Sequence, residues 1–357
     1  MGSVIQTVGV YSPEKVLTNN DLERILALSG QETSDKWIVE RTGIRKRNVA
    51  SENETVEMMA VLAARNALDK LSLDVSPIEH VVFATNTGNP PFPNLAGYVS
   101  AEISKSHYSK ISKNASGVDV YGGCGGINSA LMIADNSLND CQFETVLVIG
   151  AEKLSDVTDY SDRGTCILFG DGASAYILSR NSNPHLGFRG HFPRGDGSKR
   201  DLIKCVTADK VTLYEALSAV EENRTPVKTS GRVLKMDGKK VFAYVKDEWE
   251  NLFAGFVENK KLNPDSISFE GIFGISGHLA NYRCFESVEK KYPGFLEKCG
   301  LNDDKEMKEF FCNTSTASQG RRTMQLIESA PGGSYLLMHG YGSGLQSCAN
   351  LYRKPFA

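Results

Sequence analysis

The chain has 357 residues, 41% apolar and 23% charged, with 33 glycines, which excludes disordered, collagen-like and low-complexity classes and allows a sizeable core. Forty Lys and Arg against 43 Asp and Glu leave a net charge of −3, so no global basic field draws nucleic acid or an anionic membrane. No run reaches the roughly 18 apolar residues of a membrane span, and no secretory leader is read at the start. Eight scattered cysteines without a C-x-x-C argue against a metal site or disulfide staples, so a cytoplasmic protein is expected.

In chain order, Thr55 to Leu71 predicts a helix whose Val56, Met59, Ala60, Ala63 and Ala67 form a core stripe. Apolar, β-branched runs predict buried strands at Val81 to Thr85, Gly117 to Tyr121, Thr145 to Ile149 and Ala175 to Leu178. Two more are expected at Gly271 to Ile275 and Tyr335 to Met338. Strands alternating with helices imply a layered α/β architecture. The polar stretch from about 184 to 232 reads as a surface excursion between two halves, with a helix at Val211 to Glu222. The segments Val118 to Asp135 and Ser268 to Lys290 share a plan of strand, small-residue loop and helix.

Cys124 sits in Gly122-Gly123-Cys124-Gly125-Gly126, between a strand and a helical pattern. Glycines permit a tight turn there, and the positive end of the helix dipole favours a thiolate nucleophile. The bland alternative is a small buried hydrophobe. His278 ends an apolar strand and is placed to face a cleft, although a lone His is commonly structural. Asn313 alone reads as a capping residue. The C-terminal Gly340-Tyr341-Gly342-Ser343-Gly344 is either a simple turn or a set of bare N–H groups for an oxyanion. Phosphate-loop, dinucleotide, serine-hydrolase and zincin motifs find no match.

Taken together, these segments resemble the β-ketoacyl-acyl carrier protein synthase III family of the thiolase superfamily. The resemblance runs nearly end to end, through Thr33 to Arg45, Asp162-Arg163-Gly164-Thr165 with Phe169 to Ala173, His278 to Arg283 and Asn313-Thr314-Ser315. It implies a five-layered αβαβα fold of two pseudo-duplicated halves, at residues 1–183 and 184–357. It also implies a catalytic triad of Cys124, His278 and Asn313. Trp37 and Arg163 match a pair that sandwiches the adenine of coenzyme A. Thr33, Arg41 and Arg283 match positions along the nucleotide and pantetheine arm. Tyr341, Gly342 and Ser343 fall at the oxyanion pocket, and Phe92 resembles a residue that closes the partner's acyl pocket in a homodimer.

The reaction implied is decarboxylative condensation of an acyl-CoA starter with malonyl-ACP or malonyl-CoA, through an acyl-Cys124 intermediate. An acyl carrier protein would be a partner, and neither a metal nor an organic cofactor is needed. The setting is fatty-acid initiation or a specialised secondary-metabolite pathway. Residues around the pocket depart from the commoner family pattern, among them Gly125-Gly126-Ile127, Gly342-Ser343-Gly344, Lys239 and Ala243. One alternative is transfer of the acyl group from Cys124 to oxygen or nitrogen, and another is a non-catalytic partner subunit. A third, a hydroxymethylglutaryl-coenzyme A synthase-like enzyme suggested by Tyr341 to Gly344, wants a carboxylate base near the cysteine that the sequence alone does not place. A papain-like protease is disfavoured because its local cysteine signature is missing.

Overall fold

The computed structural model describes residues 2–72, 75–88, 93–259, 263–302 and 311–356. Its first half contributes β1 (Gly2–Tyr11), β2 (Val16–Thr18), β3 (Lys46–Asn48), β4 (Ile78–Ala84), β5 (Ile111–Val120), β6 (Thr145–Lys153) and β7 (Asp171–Asn181). The second contributes β8 (Gly187–Gly195), β9 (Ile203–Lys210), β10 (Thr229–Met236), β11 (Ile272–Gly277), β12 (Tyr335–Gly342) and β13 (Gln346–Arg353).

Two mixed sheets form the frame, ordered β1-β7-β6-β4-β5 and β8-β13-β12-β11. Read in those orders they share one pairing plan: two antiparallel steps, then a parallel one. β5, parallel to β4, extends the first sheet by one strand. Strand alternation sends side chains to both faces of each sheet. From the first sheet, Val81, Phe83, Leu147 and Ile149 pack outward on the helices Val56–Asp69 and Leu95–Ser106. Val82, Ala84, Val146 and Val148 pack inward on Gly126–Asn139. That helix and Gly320–Ser329 lie between the sheets, against Leu336, Met338 and Tyr352 of the second. The far face of the second sheet packs on Gly238–Glu258 and Tyr282–Glu289 around Trp249. These are the five layers αβαβα expected from the resemblance.

Local chemistry sets the helix ends. Thr55 accepts the Met58 N–H at the start of Val56–Asp69, whose stripe at Val56, Met59, Ala60, Ala63 and Ala67 is buried. Ser34 caps Asp35–Thr42 through the Trp37 N–H, and Gly43 closes it at φ +75°, where a side chain is disfavoured.

The polar stretch before Arg232 is only partly a surface excursion. Its first segment is β8, paired with β13 inside the second sheet. Phe188 anchors it, buried and 5.2 Å from the Tyr352 ring in an edge-to-face contact. A polar exposed face hides that alternation in the sequence. The true excursion is the β9–β10 hairpin with the helix Leu213–Glu221. No helix among the described residues is long and apolar enough to cross a membrane.

Candidate active site

Cys124 lies on a single 3-10 turn, Gly123–Gly125, that runs straight into the helix Gly126–Asn139. Gly123 holds φ +60°, and a Cβ there would come within 2.7 Å of the Ser343 nitrogen. A Cβ on Gly342 would stand 2.3 Å from the Cys124 nitrogen. Both glycines therefore serve close backbone approach, so the end of β12 lies directly against the nucleophile turn. Cys124 itself remains partly exposed. Burial, the dominant influence, pushes its thiol up to about 12; the Ser315 hydroxyl pulls it down and Glu152 pushes it up. The resting site thus holds a thiol, and the thiolate expected from the helix dipole is outweighed by desolvation.

His278 follows β11 and is fully buried. Its backbone N–H donates to the His339 carbonyl at 2.9 Å. Burial drops its imidazole to about 3, so it is neutral at physiological pH. Nδ1 lies 2.6 Å from Ser318 Oγ. Tyr341 donates its hydroxyl to the His278 carbonyl at 3.2 Å, with the two rings edge-to-face at 5.1 Å. The Tyr341 side chain therefore buttresses His278, while the backbone of Gly342 and Ser343 borders the nucleophile.

Asn313 docks through its backbone: its N–H donates to Leu168 and its carbonyl accepts from Gly170. Its Oδ1 accepts the Ser315 N–H at 2.9 Å, which leaves the amide NH2 as a donor. The turn that holds Ser315 packs against the Cys124 turn, and the Ser315 carbonyl accepts from Ser318 Oγ at 2.8 Å. One turn thereby joins the surroundings of Cys124, His278 and Asn313.

The nucleotide-binding expectations also cluster. The Trp37 ring has the Arg163 guanidinium 4.6 Å away and that of Arg41 5.5 Å away. Arg163 is hooked to the Glu32 carbonyl as well. Thr33 Oγ1 is buried without a hydrogen-bond partner among the described residues. Asn281 Nδ2 donates to the Arg41 carbonyl at 3.2 Å and ties in the Arg283 helix. Arg283 lines a cleft of about 350 Å³ with Val39, Glu40, Arg45, Tyr282 and Phe311. Phe92 lies outside the described residues.

Sequence reasoning missed Glu152, the last residue but one of β6, which is fully buried. Its carboxylate accepts from Thr85 Oγ1, the Asn86 N–H, Asn86 Nδ2, Thr87 Oγ1, Ser315 Oγ and Thr316 Oγ1. The signal was a lone acid closing the apolar run Val146 to Ala151. Glu152 is the carboxylate near the cysteine that the hydroxymethylglutaryl-type reading wants. Its oxygens are already saturated by donors, however, so it is not available as a base.

A cysteine at a helix start in a fold of two like-built halves, its turn packed against the one that links Asn313 and the buried, neutral His278, is the arrangement of a thiolase-like condensing enzyme. The family model described as 3-oxoacyl-[acyl-carrier-protein (ACP)] synthase III matches residues 118–192. The β-ketoacyl-[acyl-carrier-protein] synthase III 2 of Staphylococcus epidermidis is 31% identical over 98% of this chain and 97% of its own. The synthase III structure from Thermus thermophilus superposes with TM-score 0.80 at 28% identity, covering 99% of this chain and all (100%) of that one. The priming β-ketosynthase of the R1128 polyketide pathway gives 0.78 at 26%, covering 99% and 96%. The chain belongs to the β-ketoacyl-[acyl-carrier-protein] synthase III family and is an enzyme of the acyltransferase class.

Proposed function

We propose that this enzyme condenses an acyl-CoA starter with a malonyl thioester carried by acyl carrier protein, using Cys124, His278 and Asn313. Cys124 sulfur attacks the acyl carbonyl and the oxyanion rests on the backbone N–H groups of Cys124 and Gly342. Collapse expels the coenzyme A thiolate, which takes the proton released by Cys124. The malonyl thioester then enters the same pocket and its carboxylate leaves as carbon dioxide. The electron pair left behind forms an enolate, whose oxygen accepts from His278 Nε2 and the Asn313 amide. Its carbon attacks acyl-Cys124, and the β-ketoacyl thioester departs as the Cys124 sulfur is released and reprotonated.

The observation that carries this reading is the Asn313 amide, whose oxygen is held by the Ser315 N–H so that its NH2 is the group left to donate. An enolate oxygen needs such a donor, whereas transfer to an oxygen or nitrogen acceptor does not. Thr33, Trp37, Arg41, Arg163 and Arg283 would hold coenzyme A, with its adenine between Trp37 and Arg163. A homodimer fits β5, an edge strand with Val118 exposed at 41% and Tyr121, the residue just after it, at 56%.

Intact-protein mass spectrometry with a panel of acyl-CoA thioesters tests the proposal, with Cys124→Ala beside the unmodified chain. One acyl mass is expected on the first and none on the variant, and malonyl thioester should then discharge it as β-ketoacyl product. An acyl-enzyme that discharges only to water or an amine would overturn the condensation.

A further inference from the structure

The turn that follows Asn313, Ser315–Ala317, is laid on the end of β6. A Cβ on Gly150 would stand 2.5 Å from the Thr316 carbonyl oxygen, so the two backbones touch. Ser315 adopts φ +50° in that turn, a left-handed conformation that a serine keeps only when its surroundings hold it. Asn313 is anchored at its backbone by Leu168 and Gly170. The direction of its side chain is set separately, by the Ser315 N–H on Oδ1 at 2.9 Å. Whatever holds Ser315 therefore aims the Asn313 amide.

Glu152 is that group, and its two oxygens face different partners. Oε2 accepts from the loop after β4: the Asn86 N–H at 2.9 Å, Thr87 Oγ1 at 2.7 Å and Thr85 Oγ1 at 3.3 Å. Oε1 accepts from the turn, through Ser315 Oγ and Thr316 Oγ1 at 3.0 Å each, and from Asn86 Nδ2 at 2.7 Å. Asn86 Nδ2 also reaches Ser315 Oγ at 3.2 Å and so closes a ring. The ammonium of neighbouring Lys153 is engaged elsewhere, with the Ser51 and Glu52 carbonyls and Asp156. All six donors to Glu152 are neutral, so this buried carboxylate depends on dipoles held in place, and it holds them in turn.

We propose that Glu152 is a positioning residue for the condensation: its carboxylate clamps the turn after Asn313 to the loop after β4, and so aims the Asn313 amide at the enolate. The inference rests on the proposed use of Asn313 in that step, and Glu152 acts only through the turn. In Glu152→Gln the side-chain oxygen stays with the Asn86 backbone N–H, a donor that cannot turn. The new NH2 then stands where Oε1 was, against the Ser315 and Thr316 hydroxyls, and Asn86 turns its own amide over. The loop keeps its acceptor and the turn beside Asn313 loses it.

The test measures the two half-reactions of the full chain by rapid quench. These are acylation of Cys124, by the acyl-CoA that loads it best, and discharge of the acyl-enzyme by a malonyl thioester. Glu152→Gln is expected to leave acylation within about threefold and to slow discharge about tenfold. Thr316→Val keeps the shape of the side chain without its hydroxyl, and is a second variant should Glu152→Gln fail to fold. It should slow discharge alone, by about threefold. Placed on Asn313→Ala, either substitution should slow discharge no further, because residues that act through one group do not add. A merely structural role would slow both half-reactions and multiply with Asn313→Ala. That outcome, or unaltered discharge in Glu152→Gln and Thr316→Val, overturns the proposal. Discharge that survives Asn313→Ala unharmed would instead overturn the enolate-donor role of Asn313, and the proposal with it.

Discussion

Ser318 Oγ lies 2.6 Å from Nδ1 of His278 and 2.8 Å from the carbonyl oxygen of Ser315. The imidazole is neutral, so it carries one ring proton, and whichever way the Ser318 hydroxyl points decides which nitrogen holds it. With the Ser318 proton on Nδ1, Nε2 carries hydrogen and can donate to an enolate. With the proton on the Ser315 carbonyl, Nδ1 becomes the donor and Nε2 presents a lone pair. The structure has the hydroxyl on the Ser315 carbonyl, so condensation through Nε2 requires it to turn to Nδ1.

Ser318→Ala therefore separates the two half-reactions. Acyl-enzyme formation should stay within about threefold of the unsubstituted chain, because Cys124 and its backbone donors are untouched. Decarboxylation and condensation should fall about tenfold or more as the ring loses its orienting partner. Rapid-quench measurement of acylation and of malonyl discharge reads the two rates separately, and equal losses in both would sink the argument.

Cys124, His278 and Asn313 stood out through motifs of fixed order: Cys124 precedes a helix, His278 follows a strand, and Asn313 stands two residues before a 3-10 turn. Local pattern also revealed the strands whose apolar runs are buried on both faces, as in β4 and β6. The contacts of Ser315 and Ser318 were not legible, because a serine beside an asparagine reads as a cap until the chain is folded. Their partners stand far away in sequence: Glu152 is 163 residues from Ser315, and His278 is 40 from Ser318. β8 was hidden for another reason. Only Phe188 and its neighbour Gly187 are buried along it, so the strand owes its place to pairing with β13.

Arg163 stands 4.6 Å from the Trp37 ring, and two successive ring contacts across an inserted purine need about 7 Å. An adenine entering there, as proposed, would therefore have to push Arg163 aside. Arg163→Ala opens that slot but removes the second face of the stack. Its KM for an acyl-CoA should rise about tenfold, while turnover of an acyl-pantetheine lacking the nucleotide stays unchanged. Steady-state kinetics with both donors check this, and equal effects on the two would place Arg163 outside the adenine site.

His278 and His339 are held near 3 by burial, and the charge of each would oppose that of the other. Both would titrate near 6.5 in the unfolded chain. Between pH 6.5 and about 3 the unfolded state binds more protons than the folded one. Stability contributed by each imidazole is thus complete above pH 6.5 and declines by about 1.4 kcal/mol for every pH unit below it. Asp171 acts in the opposite sense, since burial raises it from 3.8 to about 6 and the folded state takes up its proton first. Acid therefore strengthens its contribution across that interval. Replacing His339, whose Nδ1 has no partner among the described residues and whose ring lies edge-on to Trp249 at 4.3 Å, isolates one imidazole without touching the reacting atoms. Urea unfolding of His339→Gln at pH 6.5 and pH 5 should show about 2 kcal/mol less acid loss than the unsubstituted chain. Asp171 and the exposed carboxylates are common to both proteins and cancel in that difference. Parallel losses in the two would mean that His339 is already protonated in the folded state, and the buried, neutral pair would have to be abandoned.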